Sequence, residues 1–495
     1  AAGGDLGDLE GVGNDDSFCC NGLVTSDRKP HHHLAEVKKI YQNISVNPIN
    51  IEKGTFEIKN NFYFRRLNEF ECSYTIYSNE RAKLQSNVLD IDASPQNSTT
   101  VNISIPKPKM DGKNNDKFAK LEYFIEFSFK EKKGNEMRPA GTEIAYDVFA
   151  LNVDVPQSVA LNNIPDVDMN ETNDEIIVSN DSFSFVIDKK QGVPTSFEYH
   201  GEQMIEGAIK PNFWRAPTLN DDVDRNALPK WLNANLNELT INPVSIKTKR
   251  IDKSRVAVTV VIEMKNPNDM TVITTEQVYE INGYADVVIA NNIQAEEMVG
   301  TFPKIGLQFQ MPLQFNKVKY FGKDTENYPD RNSSGKINVY ENSARDFFEL
   351  HEEPQDNGNR SDTRWVAFVN RMGQGLFVTS DEHFNFSIYQ YSDKNLSVAE
   401  RINQMELSDN WTVNIDYKQA PIGTATCGPG AFEKYLINKD RYEYTVRIRP
   451  FNYKETKENK LYKEGVIEAF SKVATPVITT DSERFDKKMN VTLTC

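Results

Sequence analysis

Carboxyl groups are the first candidates for chemistry, because two of them flanking one glycosidic bond, at separations from about 5 Å upward, can act as acid and nucleophile or base. The chain carries 72 acidic residues, so close pairs arise from number alone. Glu69 and Glu71 share one face of an extended chain, as do Glu122 and Glu126, while Glu352 and Glu353 are adjacent. Each pair reads as a solvated face. Asp221, Asp222 and Asp224 crowd the stretch after Trp214-Arg215-Ala216-Pro217 and read as a structural loop.

The run His31-His32-His33 could suggest a metal site or a tag remnant. In a strand, adjacent side chains point to opposite faces and cannot converge on one ion, so the run reads as structural. No GxSxG, GxGxxG or phosphate-cradling loop is present, which leaves nucleophilic serine chemistry and nucleotide chemistry unsupported. Phe213-Trp214-Arg215 and Glu326-Asn327-Tyr328-Pro329-Asp330-Arg331 have a composition that suits a sugar. Rings can stack on pyranose C–H faces while planar polar groups bond hydroxyls, although core packing suits the same residues.

The elements that must position these groups are strands. Val101, Ile103 and Ile105 alternate with Asn102 and Ser104, and Leu121, Tyr123, Ile125, Phe127 and Phe129 alternate with Glu122, Glu126 and Ser128. The same period returns over Phe183–Ile187, Val256–Ile262 and Tyr442–Ile448, and over Val272–Ile289 around the hairpin signal Asn282-Gly283. One helix is expected over Lys230–Leu239, with Trp231, Leu232, Leu236 and Leu239 on a shared face and Pro229 in its first turn. The predicted class is all-β.

Composition narrows the partners. A net charge of −15 leaves no basic excess for nucleic acid or an anionic membrane face, and no run reaches the roughly 20 apolar residues that span a bilayer. Cys19, Cys20, Cys72, Cys427 and Cys495 are too scattered for a disulfide framework and read as free thiols.

Three motifs in sequence order carry a family resemblance: Asn212-Phe213-Trp214-Arg215-Ala216-Pro217-Thr218, Glu326 to Arg331, and Pro354-Gln355-Asp356-Asn357-Gly358-Asn359-Arg360 with Asp362-Thr363-Arg364-Trp365. Together with Ile415-Asp416-Tyr417-Lys418-Gln419 and Tyr442 to Pro450, they resemble the C-terminal β-supersandwich of glycoside hydrolase family 2 β-galactosidases. Glu36 to Gln42 and Ala140-Gly141-Thr142-Glu143 resemble the immunoglobulin-like sandwich before it, and Gly3 to Asp8 with Phe18 to Val24 resemble the end of the family's catalytic (β/α)8 barrel.

The resemblance implies a division into the end of the barrel (1–28), an immunoglobulin-like sandwich (29–155), a linker (156–174), the supersandwich (175–451), a charged linker (452–473) and the start of an appended β-sandwich (474–495). That last piece is similar to a module of some exported glycosidases, which favours a periplasmic or extracellular setting slightly over a cytoplasmic one. The implied reaction is hydrolysis of terminal β-D-galactose with retention, and both catalytic glutamates are expected outside this chain. By the same resemblance, the Phe18 carbonyl and the Asn21 side chain ligate Na+ beside the sugar, and the Phe18 ring lies against the substrate. The Mg2+ ligands are expected in the missing region. The implied partners are a β-galactoside, the missing domains of the same enzyme, and further copies in a homo-oligomer. Gly428, in Thr424-Ala425-Thr426-Cys427-Gly428, stands where the family's familiar members have a Trp, which puts a lactose-type second sugar in doubt. The reading from another class is a free-standing carbohydrate-binding or scaffolding sandwich.

Overall fold

A computed structural model describes residues 22–25, 27–78, 83–106, 122–151, 161, 163–222, 227–426 and 428–464. Helix α1 (His33–Ile40) precedes β1 (Ile44–Asn50), β2 (Thr55–Asn60), β3 (Phe70–Ser78), β4 (Lys83–Leu89), β5 (Ser98–Asn102), β6 (Tyr123–Glu131) and β7 (Glu143–Leu151). These strands make a three-stranded sheet, β1-β2-β5, and a four-stranded sheet, β4-β3-β6-β7. Alternation decides what lies between them. Ile44, Phe56, Ile58 and Val101 of the first sheet share one core with Cys72, Ile76, Ile125 and Phe127 of the second. Cys72 is a free thiol, pushed up to about 12 by burial.

The second body begins with a five-stranded sheet. Its strands are β8 (Asp168–Glu171), β9 (Glu175–Asn180), β10 (Phe183–Asp188), β11 (Val193–Tyr199) and β12 (Glu202–Gln203). A twelve-stranded sheet follows, made of β13 (Glu206–Asn212), β14 (Thr240–Arg250), β15 (Arg255–Lys265), β16 (Thr271–Asn282), β17 (Val287–Ala295), β18 (Lys304–Pro312), β19 (Lys317–Lys323), β20 (Ile337–Ser343), β21 (Arg360–Val369), β22 (Gln374–Tyr389), β23 (Asn410–Gln419) and β24 (Arg441–Asn452). Its main path runs β13-β18-β23-β22-β24-β17-β16-β15-β14. The two sheets bury a common core in which Phe185 meets Phe197 edge-on at 5.0 Å and lies 6.5 Å from Tyr279. The predicted all-β class holds. Among the described residues, no helix is long and apolar enough to cross a membrane.

Three local expectations change. The helix over Lys230–Leu239 is two pieces, because α2 (Leu228–Asn233) stops before Asn235, whose φ of 55° is left-handed, and a 3-10 turn takes Leu236–Glu238. Trp231 and Leu236 are buried while Leu232 is 43% exposed, so those four residues share no face. His31 to His33 lie at and just before the start of α1 rather than in a strand. Glu122 and Glu126 are not a solvated face. Glu122, just before β6, and Glu126, within it, lie on the side turned away from that strand's own core, where Glu122 takes a bond of 2.8 Å from Arg364 and Glu126 one of 2.7 Å from Lys336. Phe124, between them, joins Tyr77, Phe321, Trp365 and Phe377 in an apolar cluster. That cluster fastens the first sandwich to the second body.

Candidate functional site

The motifs singled out in the sequence are far apart in the chain and close in space. β13 delivers Asn212 to the edge of the large sheet, and the following segment folds Arg215 inward until no part of it reaches solvent. A buried guanidinium needs anionic partners and filled hydrogen bonds. Its Nη2 donates to both Asp221 oxygens, at 2.9 and 3.1 Å, and Nη1 lies 3.9 Å from Asp356. Trp231 and Tyr328 place ring faces 5.6 and 5.8 Å from it. Burial opposes the charge on Arg215, but the two carboxylates outweigh that and hold its pKa above the ordinary value.

Asp356 in turn accepts from the Tyr328 hydroxyl at 3.1 Å and from Gln419 Nε2 at 3.2 Å. Burial raises its pKa against the pull of Lys304 and Arg215. Deeper in the sheet, Lys304 faces Asp416 at 3.2 Å with both side chains fully buried. Burial pushes Asp416 up to about 7 in spite of that ammonium. A neutral branch continues the network: Asn414 accepts from Gln308 at 3.0 Å and donates to the Tyr389 hydroxyl at 2.9 Å, and that hydroxyl donates to Asp393 at 2.5 Å.

The charged core carries a loop. Asp330 accepts the backbone N–H groups of Ile422 and Gly423 at 3.0 and 2.8 Å, and Arg331 donates to the Gly423 carbonyl. Asn220, from the acidic stretch, accepts from the N–H of Thr426 at 3.1 Å and donates to Gly423 at 3.3 Å. Residues 422–426 are thereby held by the Glu326–Arg331 segment and by Asn220. The third motif segment, Pro354–Arg360, supplies Asp356 below and braces the Glu326–Arg331 segment, with Gly358 N–H donating to Glu326 at 2.7 Å and Asn359 Nδ2 to the Asn327 carbonyl at 2.7 Å.

Beside this frame His31 Nδ1 donates to the Glu349 carboxylate at 2.8 Å, and the ring stacks against His33 and His351, at 5.4 and 6.4 Å between ring centres. His33 bonds the Gly22 carbonyl at 3.0 Å, and burial lowers the pKa of His32, His33 and His351. Among the described residues no group of three or more His, Cys, Asp or Glu side chains is placed to share a metal ion. Phe18 and Asn21, the Na+ and sugar contacts implied by resemblance, lie outside the described residues, as do Asp224 and residues 474–495.

Sequence reasoning missed Lys304, Tyr389 and Asp393. One signal was available: Asn414 and Asp416 alternate with Val413 and Ile415 in β23, where six consecutive residues, Trp411 to Asp416, are buried. Two polar side chains on one face of such a run need buried partners.

A family model described as "Beta galactosidase small chain" matches residues 179–448, and one described as "Beta-galactosidase, domain 4" matches residues 56–152. A "Beta-galactosidase" of Priestia megaterium is 27% identical over 429 residues, which cover 86% of this chain and 40% of that protein. Another, of Psychromonas ingrahamii, is 28% identical over 480 residues, covering 91% of this chain and 43% of that protein. The chain spans about two fifths of the length of the curated relatives it matches.

Proposed function

Because this chain belongs to the beta galactosidase small chain family, we propose that it is the C-terminal part of a retaining β-galactosidase, shaping the mouth of an active site whose catalytic glutamates lie in the remaining part of the enzyme. The observation that carries this reading is the match over residues 179–448, which contains every contact of the Arg215–Asp356–Asp416 network and the loop it holds. The carboxylates of that network are engaged otherwise. Asp221 and Asp356 face Arg215, Asp416 faces Lys304, and Asp286 is clamped by Arg447 at 2.7 Å. Each is buried and faced by a cation of this chain rather than by open space, which supports a structural part for these groups.

In the complete enzyme the reaction is double displacement at the anomeric carbon through a glycosyl-enzyme intermediate. This chain's share is to hold residues 422–426 in place through Asp330, Asn220 and Arg331. Gly428 stands where the resemblance implies a Trp that would face the second sugar, so β-galactosides other than lactose are the proposed substrates. We assign the Phe18 carbonyl and the Asn21 amide oxygen to Na+, since neutral oxygen donors suit a hard cation. The rest of that site, and the Mg2+ site, belong to the missing region. Homo-oligomer formation is proposed for the complete enzyme.

The test is hydrolysis of a nitrophenyl β-galactoside by the purified chain, alone and mixed with the catalytic part of a related enzyme. Inactivity alone with activity on mixing supports the proposal. Activity of the chain alone overturns it, because a catalytic pair would then lie within these residues.

A further inference from the structure

A cleft of about 490 Å³ opens between the end of β23, the segment 434–443 and the β21–β22 pair, and its lining is amphipathic in a specific way. Tyr417, Tyr435 and Tyr442 supply rings, Asn385 and Gln419 supply buried amides, and Lys418, Lys434 and Lys439 stand around them. The two acidic groups of the lining are already engaged: Asp362 faces Lys323 at 3.0 Å and Glu443 faces Arg441 at 3.0 Å. None of the three lysines has a carboxylate partner among the described residues.

On a chain with a net charge of −15, three ammonium groups without an ion-pair partner around one cleft stand out, even with Glu382 and Asp381 within electrostatic reach of Tyr417 and Asp440 of Tyr442. Two of them are positioned by rings rather than by carboxylates, with Lys418 Nζ 4.5 Å from the centre of the Tyr417 ring and Lys434 Nζ 4.7 Å from that of Tyr435. A cation–π contact orders the side chain without cancelling its charge. Tyr417 is itself fixed by a parallel stack on Tyr444 at 4.9 Å. Rings suit the C–H face of a pyranose, amides suit hydroxyls, and unpaired ammonium groups suit an anionic substituent.

We propose that this cleft binds an acidic saccharide, a galactoside chain bearing sulfate or carboxylate, through Lys418 and Lys434 as the anion contacts and Tyr435 as the ring contact, with Tyr417, covered by Lys418 and Tyr444, holding Lys418 in place. The inference rests on the reading of the chain as part of a carbohydrate-acting enzyme, and assigns it a class of glycan.

Calorimetric titration of the whole chain with a galactose disaccharide carrying one sulfate, with its neutral parent, and with inorganic sulfate tests the assignment. The sulfated disaccharide is expected to bind at least about tenfold more tightly than either control, and its affinity to fall on raising salt from about 50 to about 500 mM, as a screened charge contact requires. The pair Lys418→Glu and Lys434→Glu, both at exposed positions, is expected to weaken it by at least about tenfold, and Lys434→Arg to retain most of it. Equal binding of the neutral disaccharide overturns the acidic class, and equal binding of inorganic sulfate overturns the saccharide. No binding of any probe, or affinity untouched by charge reversal and by salt, overturns the site. The salt series on the unaltered chain decides the matter even if a variant misfolds. Restored hydrolysis of the nitrophenyl galactoside on mixing is scored separately, so failure of the cleft and failure of the galactosidase reading are told apart.

Discussion

Arg215 and Asp221, six residues apart, form an ion pair in which Nη2 lies 2.9 and 3.1 Å from the two carboxylate oxygens and neither side chain reaches solvent beyond 2%. The same Asp221 accepts from the N–H and hydroxyl of Thr218 at 2.8 and 2.9 Å. The pair therefore closes the turn Thr218–Asp221 and ties it to the underside of residues 420–421, whose carbonyls Arg215 also reaches.

Removing Arg215 leaves Asp221 buried without its cation, and removing Asp221 leaves Arg215 with only the more distant Asp356, at 3.9 Å. Arg215→Met is expected to cost about 3–5 kcal/mol, and Asp221→Asn a comparable amount. In the double variant the loss should fall well short of the sum, since the two opposite charges leave together. Urea titration of the three variants measures this, and strict additivity would mean that the two groups do not act as a pair.

The alternating strands were legible in the sequence because one face of each is buried: Tyr123, Ile125, Phe127 and Phe129 point inward as their spacing implies. What spacing could not reveal was a second buried face. Glu122 and Glu126 look like solvent groups at β6 until a separate body is packed against them, and only long-range contacts to Arg364 and Lys336 disclose it. The helix near Trp231 was overstated because helical spacing of apolar residues takes no account of Asn235, where the chain turns left-handed. For the site, the motifs marked the right segments. Their partners Lys304 and Asp393 carry no local signature and enter only through the order of strands in the large sheet.

The junction between the two bodies should be a site of large mutational cost. Phe124 is fully buried on the face of β6 opposite its own core and meets Phe321 edge-on at 6.1 Å. Phe124→Ala is expected to cost about 3–5 kcal/mol, and to split a single calorimetric transition into two as the bodies uncouple. A lone, unshifted transition would show that the junction contributes nothing to cooperative unfolding.

Asp416 sets a pH dependence of known sign. Its folded value of about 7 exceeds its ordinary 3.8 because it is buried, even beside Lys304. The folded state therefore binds a proton that the unfolded state has lost between those two values. The stability this carboxyl contributes is fully present below about 3.8 and is lost as pH rises through about 7. Asp416→Asn removes that dependence. The variant should gain on the parent chain steadily from about pH 4 to about pH 7 and hold a constant margin above it. Parallel denaturation curves across that range test this, and a pH-independent difference would refute it.

Asp330 offers the cleanest way to loosen the loop without disturbing the charged core. Its carboxylate accepts two backbone N–H groups, of Ile422 and Gly423, while Arg331 and Asn220 grip the Gly423 carbonyl. Replacing Asp330 by Ala frees two donors at a partly exposed position, where water can take over part of the bonding, so the loss of global stability should be about 1–3 kcal/mol. The local effect should be larger. Amide exchange at residues 422–426 is expected to accelerate by about tenfold or more, because opening that segment no longer requires breaking charge-assisted bonds. If residues 422–426 border the active site as proposed, the mixture with a catalytic part should lose affinity for the nitrophenyl galactoside, seen as a raised KM, while exchange in β23 stays unchanged. Faster loop exchange with an unaltered KM would place this loop away from the substrate and would remove the structural basis for assigning the mouth of the site to this chain.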